Sequence, residues 1–183
     1  MTWLVVGLGS AGRGDDAVGP IVASGVAGLG LPCVDVIAHA DPTGLIETWS
    51  AYTAVVVVDA VRTGKAPGTV LVLEAGAEVG VLDEHDWNRS GRGGTQVLGL
   101  ASAIELGRAL GMVPERLVLV GVEAERTDPG AGMSPRVLAA LDRVQEVVVR
   151  LVAQPAPAAP APPAVPAAPT APAVPAARPD DVR

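Results

Sequence analysis

Short apolar runs rich in β-branched residues alternate with longer stretches of helical period as far as about residue 153. The pattern predicts strands at Trp3–Gly7, Val34–Ala38, Ala54–Asp59, Thr69–Leu73 and Leu117–Val122. Helices are predicted at Ala17–Ala27, Gly44–Trp49, Leu98–Leu110 and Pro135–Leu151. The last has a clean start, because Ser134 is a good cap and Pro135 suits the first helical position. Alternation of this kind is the signature of parallel βαβ units. A wholly apolar strand such as Ala54-Val55-Val56-Val57-Val58 belongs in a sheet covered on both faces. The fold class is therefore α/β: one three-layer α/β/α domain over residues 1–153, with a mostly parallel, twisted sheet of about five strands.

Two stretches break the pattern. From Ala77 to Thr95 the chain lacks periodicity and is rich in Gly, Asp and Arg, so it reads as a long loop. Residues 154–183 are almost wholly Pro and Ala with a charged end. Frequent proline forbids regular structure, and small side chains bury too little to offset ordering entropy, so a disordered, partly polyproline tail is expected.

Composition narrows the function. Nearly half of the residues are apolar, mainly Ala, Val and Leu, with no Phe and one Tyr, so rings for stacking on bases are few. The formal charge of −7 repels phosphate backbones, and nucleic acid is not an expected partner. No apolar run approaches the roughly 20 residues of a membrane helix. The start of the chain carries no signal-peptide pattern. The single cysteine, Cys33, falls in a strand-like stretch and reads as a buried, inert thiol, which with the rest suggests a cytoplasmic protein.

The chemistry gathers around the first glycine loop. Gly7-Leu8-Gly9-Ser10-Ala11-Gly12 matches a dinucleotide-binding fingerprint. The residues that follow oppose it, since Asp15 and Asp16 stand where phosphates need neutral amides and Gly19-Pro20 interrupts the helix. The other reading makes the acids the purpose of the loop. Ligands of open parallel sheets bind beyond the carboxyl ends of the strands. Asp16 follows the first strand, and Asp59 closes the third after four valines, where packing does not explain a carboxylate. With strand order 2-1-3 the two would converge, able to hold a divalent metal or position a water. Spacing alone leaves a plainer alternative open, in which Asp15 or Asp16 caps the next helix and Asp59 begins a turn.

At these residues the sequence resembles the hydrogenase maturation endopeptidases. The resemblance runs through Val5-Val6-Gly7-Leu8-Gly9, Gly14-Asp15-Asp16-Ala17-Val18-Gly19-Pro20, Val56-Val57-Val58-Asp59-Ala60, Pro67-Gly68 and Leu98-Gly99-Leu100. It closes with Leu119-Val120-Gly121-Val122-Glu123 and Gly132-Met133-Ser134-Pro135-Arg136-Val137. It implies an endopeptidase, without a Ser or Cys nucleophile, that removes a C-terminal extension from the large-subunit precursor of a nickel-iron hydrogenase after nickel insertion. The substrate's nickel would be read by two acids, here Asp16 and Asp59, and by a histidine. At the histidine's position stands Gln96, whose neutral oxygen suits nickel less well than imidazole. His39, at the end of the second strand, is a possible substitute; His85, in the long loop, reads as an exposed loop residue. An active peptidase, a degenerate relative that binds without cutting, and a nucleotide-binding domain are the three functional readings.

Overall fold

The structure, a computed structural model, describes residues 2–39, 42–77 and 99–155. Five strands, β1 (Trp3–Leu8), β2 (Val34–His39), β3 (Ala54–Val61), β4 (Val70–Glu74) and β5 (Arg116–Glu123), form one sheet in the order β2-β1-β3-β5-β4. All neighbours are parallel except β4, which runs antiparallel to β5. The helices are α1 (Val18–Gly28), α2 (Leu45–Trp49), α3 (Leu100–Ala109), α4 (Pro135–Leu138) and α5 (Leu141–Val152). The expected α/β class is found, and the sheet has the 2-1-3 order on which convergence of the two acids depends.

Alternation along the central strands divides the core between the two faces of the sheet. Val5, Val56, Val58, Val118 and Val120 pack with Val18, Val22 and Val26 of α1 and Val144 and Val148 of α5. Leu4, Val6, Val55, Val57, Leu117 and Leu119 pack on the other face with Leu45 and Trp49 of α2 and Leu100 and Ile104 of α3. This is why β3 needs an unbroken apolar run: each buried Val contributes about 1.5–3 kcal/mol, and β3 faces a helical layer on both sides.

Several expectations need correction. Asp59 does not end its strand, because β3 continues to Val61 through pairing with β5. Gly19-Pro20 does not interrupt a helix; Pro20 sits in the first turn of α1, where its missing N–H has no intrahelical partner to lose. The helix expected over Pro135–Leu151 is two segments, since the N–H of Ala140 bonds to Val137 only three residues back and tightens the chain there. Ser134 makes no side-chain cap. Cys33 is exposed, in a turn before β2 with φ of 59°, not buried in a strand. The tail from residue 156, most of the long loop with His85, and Gln96 lie outside the described residues. Among the described residues no helix is long and apolar enough to cross a membrane.

Candidate functional site

The carboxyl ends of β1, β2 and β3 meet a turn that carries two adjacent acids. After β1 the chain passes through Gly9, at φ of 123°, and enters a single 3-10 turn, Gly14–Ala17, that leads into α1. The glycines serve close backbone contact. A Cβ on Gly7 would overlap the carbonyl of Gly19, and one on Gly19 would overlap those of Leu8 and Val58. A Cβ on Gly9 would fall on the Asp16 carbonyl. The start of α1 thus lies directly on the ends of β1 and β3, and the turn before it hangs over Asp59. Gly12 has no neighbour that a Cβ would meet, and α1 begins only at Val18. The glycines close the backbone around the turn that carries Asp16, which leaves the dinucleotide fingerprint without structural support.

The sheet register places the other groups. Leu8 pairs with His39 and Gly7 with Val58, so Asp59 lies one step beyond, opposite Gly121 of β5. By alternation Asp59 projects to the face of Val55 and Val57, and His39 to that of Leu8, which is the same face. His39 and Asp59 therefore flank Leu8 in one row, with Cα atoms about 10 Å apart at two strand spacings. The His39 imidazole lies against Gly44, whose missing Cβ would stand 2.7 Å from Cε1. Among the described residues no three His, Cys, Asp or Glu side chains stand together as a metal-holding group. The Asp16 charge reaches Asp59, and the His39 imidazole stands in the Asp59 row without forming such a group.

The adjacent acids of the turn have opposite environments. Asp16 is partly buried, and its Oδ2 accepts the Ser10 N–H at 2.8 Å. Asp59 retains a partial opening to solvent, while protein surrounds its carboxyl. Burial first, and the Asp16 charge second, push Asp59 from 3.8 to about 8, against the opposing pull of the Ala60 N–H. Asp15 is wholly buried. Burial alone would raise its pKa, but backbone N–H groups of Ser134, Arg126 and Glu125 more than offset this and hold it below its ordinary value. A third acid, Glu123, ends β5 and accepts hydrogen bonds from Thr63 N, Thr63 Oγ1 and Gly64 N at 2.7–3.0 Å, so it secures the loop after β3.

A buried carboxyl that holds a proton near neutrality, with a second acid whose charge adds to that effect, is an arrangement suited to acid–base work on a bound water. It equally offers two oxygen donors to an arriving cation, which would displace the proton from Asp59. Sequence reasoning selected Asp16 and Asp59, and these are brought together. It offered Asp15 only a helix cap and Glu123 no task, because Glu125 and Ser134, partners of Asp15, lie 110 and 119 residues away.

A family model described as hydrogenase maturation protease matches residues 34–151. No curated protein matches. Among solved structures, the hydrogenase maturating endopeptidase HybD from E. coli is 24% identical, with a TM-score of 0.62 over 82% of this chain and 91% of that one. The hydrogenase 2 maturation peptidase from a Thaumarchaeota archaeon is also 24% identical, with a TM-score of 0.62 over 82% and 97%. An endopeptidase from Escherichia coli, solved in solution, is 26% identical, with a TM-score of 0.62 over 82% and 91%. With more than half its length inside the family model and its fold shared with these peptidases, the chain belongs to the hydrogenase maturation protease family.

Proposed function

We propose that this protein cuts a C-terminal extension from the large-subunit precursor of a nickel-iron hydrogenase, and that Asp16 and Asp59 carry the work. The observation behind this is the pairing of two carboxylates at the carboxyl edge of the sheet, with the Asp59 proton retained to about 8. The nickel is the substrate's. Among the described residues the two acids have no third metal-ligating side chain beside them, so further donors would come from the precursor and from a third contact on this chain. When nickel arrives, its charge favours the ionised form of Asp59, and the proton leaves to solvent. A water held between the two carboxylates attacks the scissile carbonyl while the Asp16 carboxylate takes one of its protons; the C–N bond breaks and the leaving amine receives that proton from Asp16. This aspartyl-type step needs no covalent intermediate.

Gln96 is the proposed third contact, by resemblance. It precedes α3 by a few residues, and α3 packs on the face to which Asp59 projects. The far end of α3 is tied by Arg108 to the carbonyls of Ala75 and Gly76, near the start of β5, so its first turn faces the carboxyl edge. His39 is the alternative nitrogen donor, from the same row as Asp59. A cytoplasmic site of action fits a chain with one cysteine.

The test follows the intact mass of a nickel-loaded precursor with wild type, Asp16→Ala and Gln96→His. Loss of one discrete C-terminal peptide with wild type, abolished by Asp16→Ala, is the expected result. Binding without cleavage by wild type, with cleavage restored by Gln96→His, would identify a relative that lost catalysis at that position.

A further inference from the structure

The turn that carries Asp16 is held by its neighbour. Oδ1 of Asp15 accepts the Ser134 N–H at 2.6 Å, and Oδ2 accepts the N–H groups of Glu125 and Arg126 at 2.8 and 2.9 Å. The main chain reinforces this contact on both sides. The Gly14 N–H donates to Ala131 O at 3.0 Å, the Asp15 N–H to Arg126 O at 2.8 Å, and the Gly130 N–H to Gly12 O at 2.8 Å. Gly14 has φ of 58°, and the Arg126 carbonyl stands where its Cβ would project. The loop after β5 is thus joined to the Gly14–Ala17 turn through one buried carboxylate.

Asp16 depends on that turn twice. Its N–H donates to Arg13 O at 3.1 Å, and its Oδ2 takes the Ser10 N–H at 2.8 Å. Both contacts are local to the loop and fix Asp16 relative to residues 10–13, but neither fixes the loop relative to the sheet. Asp15 adds an anchor across the carboxyl edge, since its three donors all lie beyond the end of β5, the strand that pairs with β3 and Asp59. An unpaired buried carboxylate is costly, and one with its acceptors filled by fixed backbone N–H groups is rigid. A reacting group held too loosely by about 1 Å can lose ~10²-fold in rate.

We propose that Asp15 is a positioning residue for the peptidase, clamping the Gly14–Ala17 turn to the loop after β5 so that Asp16 is set against Asp59. This rests on the reading of Asp16 and Asp59 as the working pair. It differs from a purely structural role in predicting a specific displacement of Asp16, and the Ser10 amide reports that position without any substrate.

The test compares Asp15→Asn with Glu123→Gln, which perturbs a buried, amide-bound acid at the other loop. Asn keeps the shape of Asp15 but replaces one acceptor oxygen with a donor, so part of the clamp must open. Two quantities are measured: hydrogen exchange of the Ser10 amide relative to the Val56 amide, and kcat and KM on the nickel-loaded precursor. Asp15→Asn is expected to raise relative Ser10 exchange about tenfold or more. It should lower kcat by about 10²-fold with KM little changed. Glu123→Gln should change neither ratio. Ser10 exchange unaltered by Asp15→Asn, or altered equally by Glu123→Gln, would overturn the proposal. If wild type cuts no precursor, the functional reading fails, and Ser10 exchange still decides whether Asp15 positions Asp16.

Discussion

Replacing Asp59 with Asn should stabilise the protein, and increasingly so as pH rises. In the unfolded chain Asp59 ionises near 3.8, whereas in the fold it holds its proton to about 8, chiefly because of burial and then because of Asp16. Between these values the native state binds more protons than the unfolded one, so wild-type stability from this group falls as pH increases and levels off above pH 8. At about 1.4 kcal/mol per pH unit the ceiling on that loss is ~6 kcal/mol. Asp59 is partly open to solvent, and water reaching it reduces the penalty. A gain of about 2 kcal/mol for Asp59→Asn at pH 9 relative to pH 4 is the working expectation. Urea denaturation at pH 4, 6, 8 and 9 measures it directly. With a slope of about 2 kcal/mol/M, the midpoint difference between Asn and Asp should widen by about 1 M across that range. A constant gap, or one that narrows toward alkaline pH, would show that Asp59 is not a desolvated, proton-retaining carboxyl.

Removing the neighbouring charge by Asp16→Asn should move the Asp59 ionisation toward acid while leaving it above 3.8, because burial persists; carboxyl 13C NMR titration reads the midpoint. Gly19→Ala should destabilise by about 3 kcal/mol or more, since the new Cβ meets the carbonyl oxygens of Leu8 and Val58, which are backbone and cannot swing aside; thermal unfolding checks it, with Gly28→Ala, which meets nothing, as control. Calorimetry of nickel-loaded precursor binding in buffers of different ionisation enthalpy at pH 7 should detect proton release, which Asp59→Asn should abolish.

The fold was legible because its strongest signals are local. The valine run of β3 and the helical periods of α1 and α3 state their own layers, and an acid near the carboxyl end of each of two neighbouring strands marks where the candidate site lies. What escaped notice was set at long range. Asp15 and Asp16 are indistinguishable in sequence, yet the first turns toward amides beyond β5, while the second takes the Ser10 amide and its charge reaches Asp59. Pro20 reads as a helix breaker by composition and is harmless only because α1 begins two residues earlier. Pairing with β5 carries β3 past Asp59, so the carboxylate is embedded in the strand and its proton is retained. Cys33 looked like a strand residue because its neighbours are apolar, but it occupies the turn before β2.

The most direct test of the acid pair as a nickel-reading peptidase site supplies wild type with the same precursor in nickel-loaded and nickel-free forms and follows intact mass. A single C-terminal peptide released from the loaded form only, and from neither form by Asp59→Ala, is the predicted result. Equal cleavage of both forms, or no cleavage of a loaded precursor that another family member processes, would contradict it.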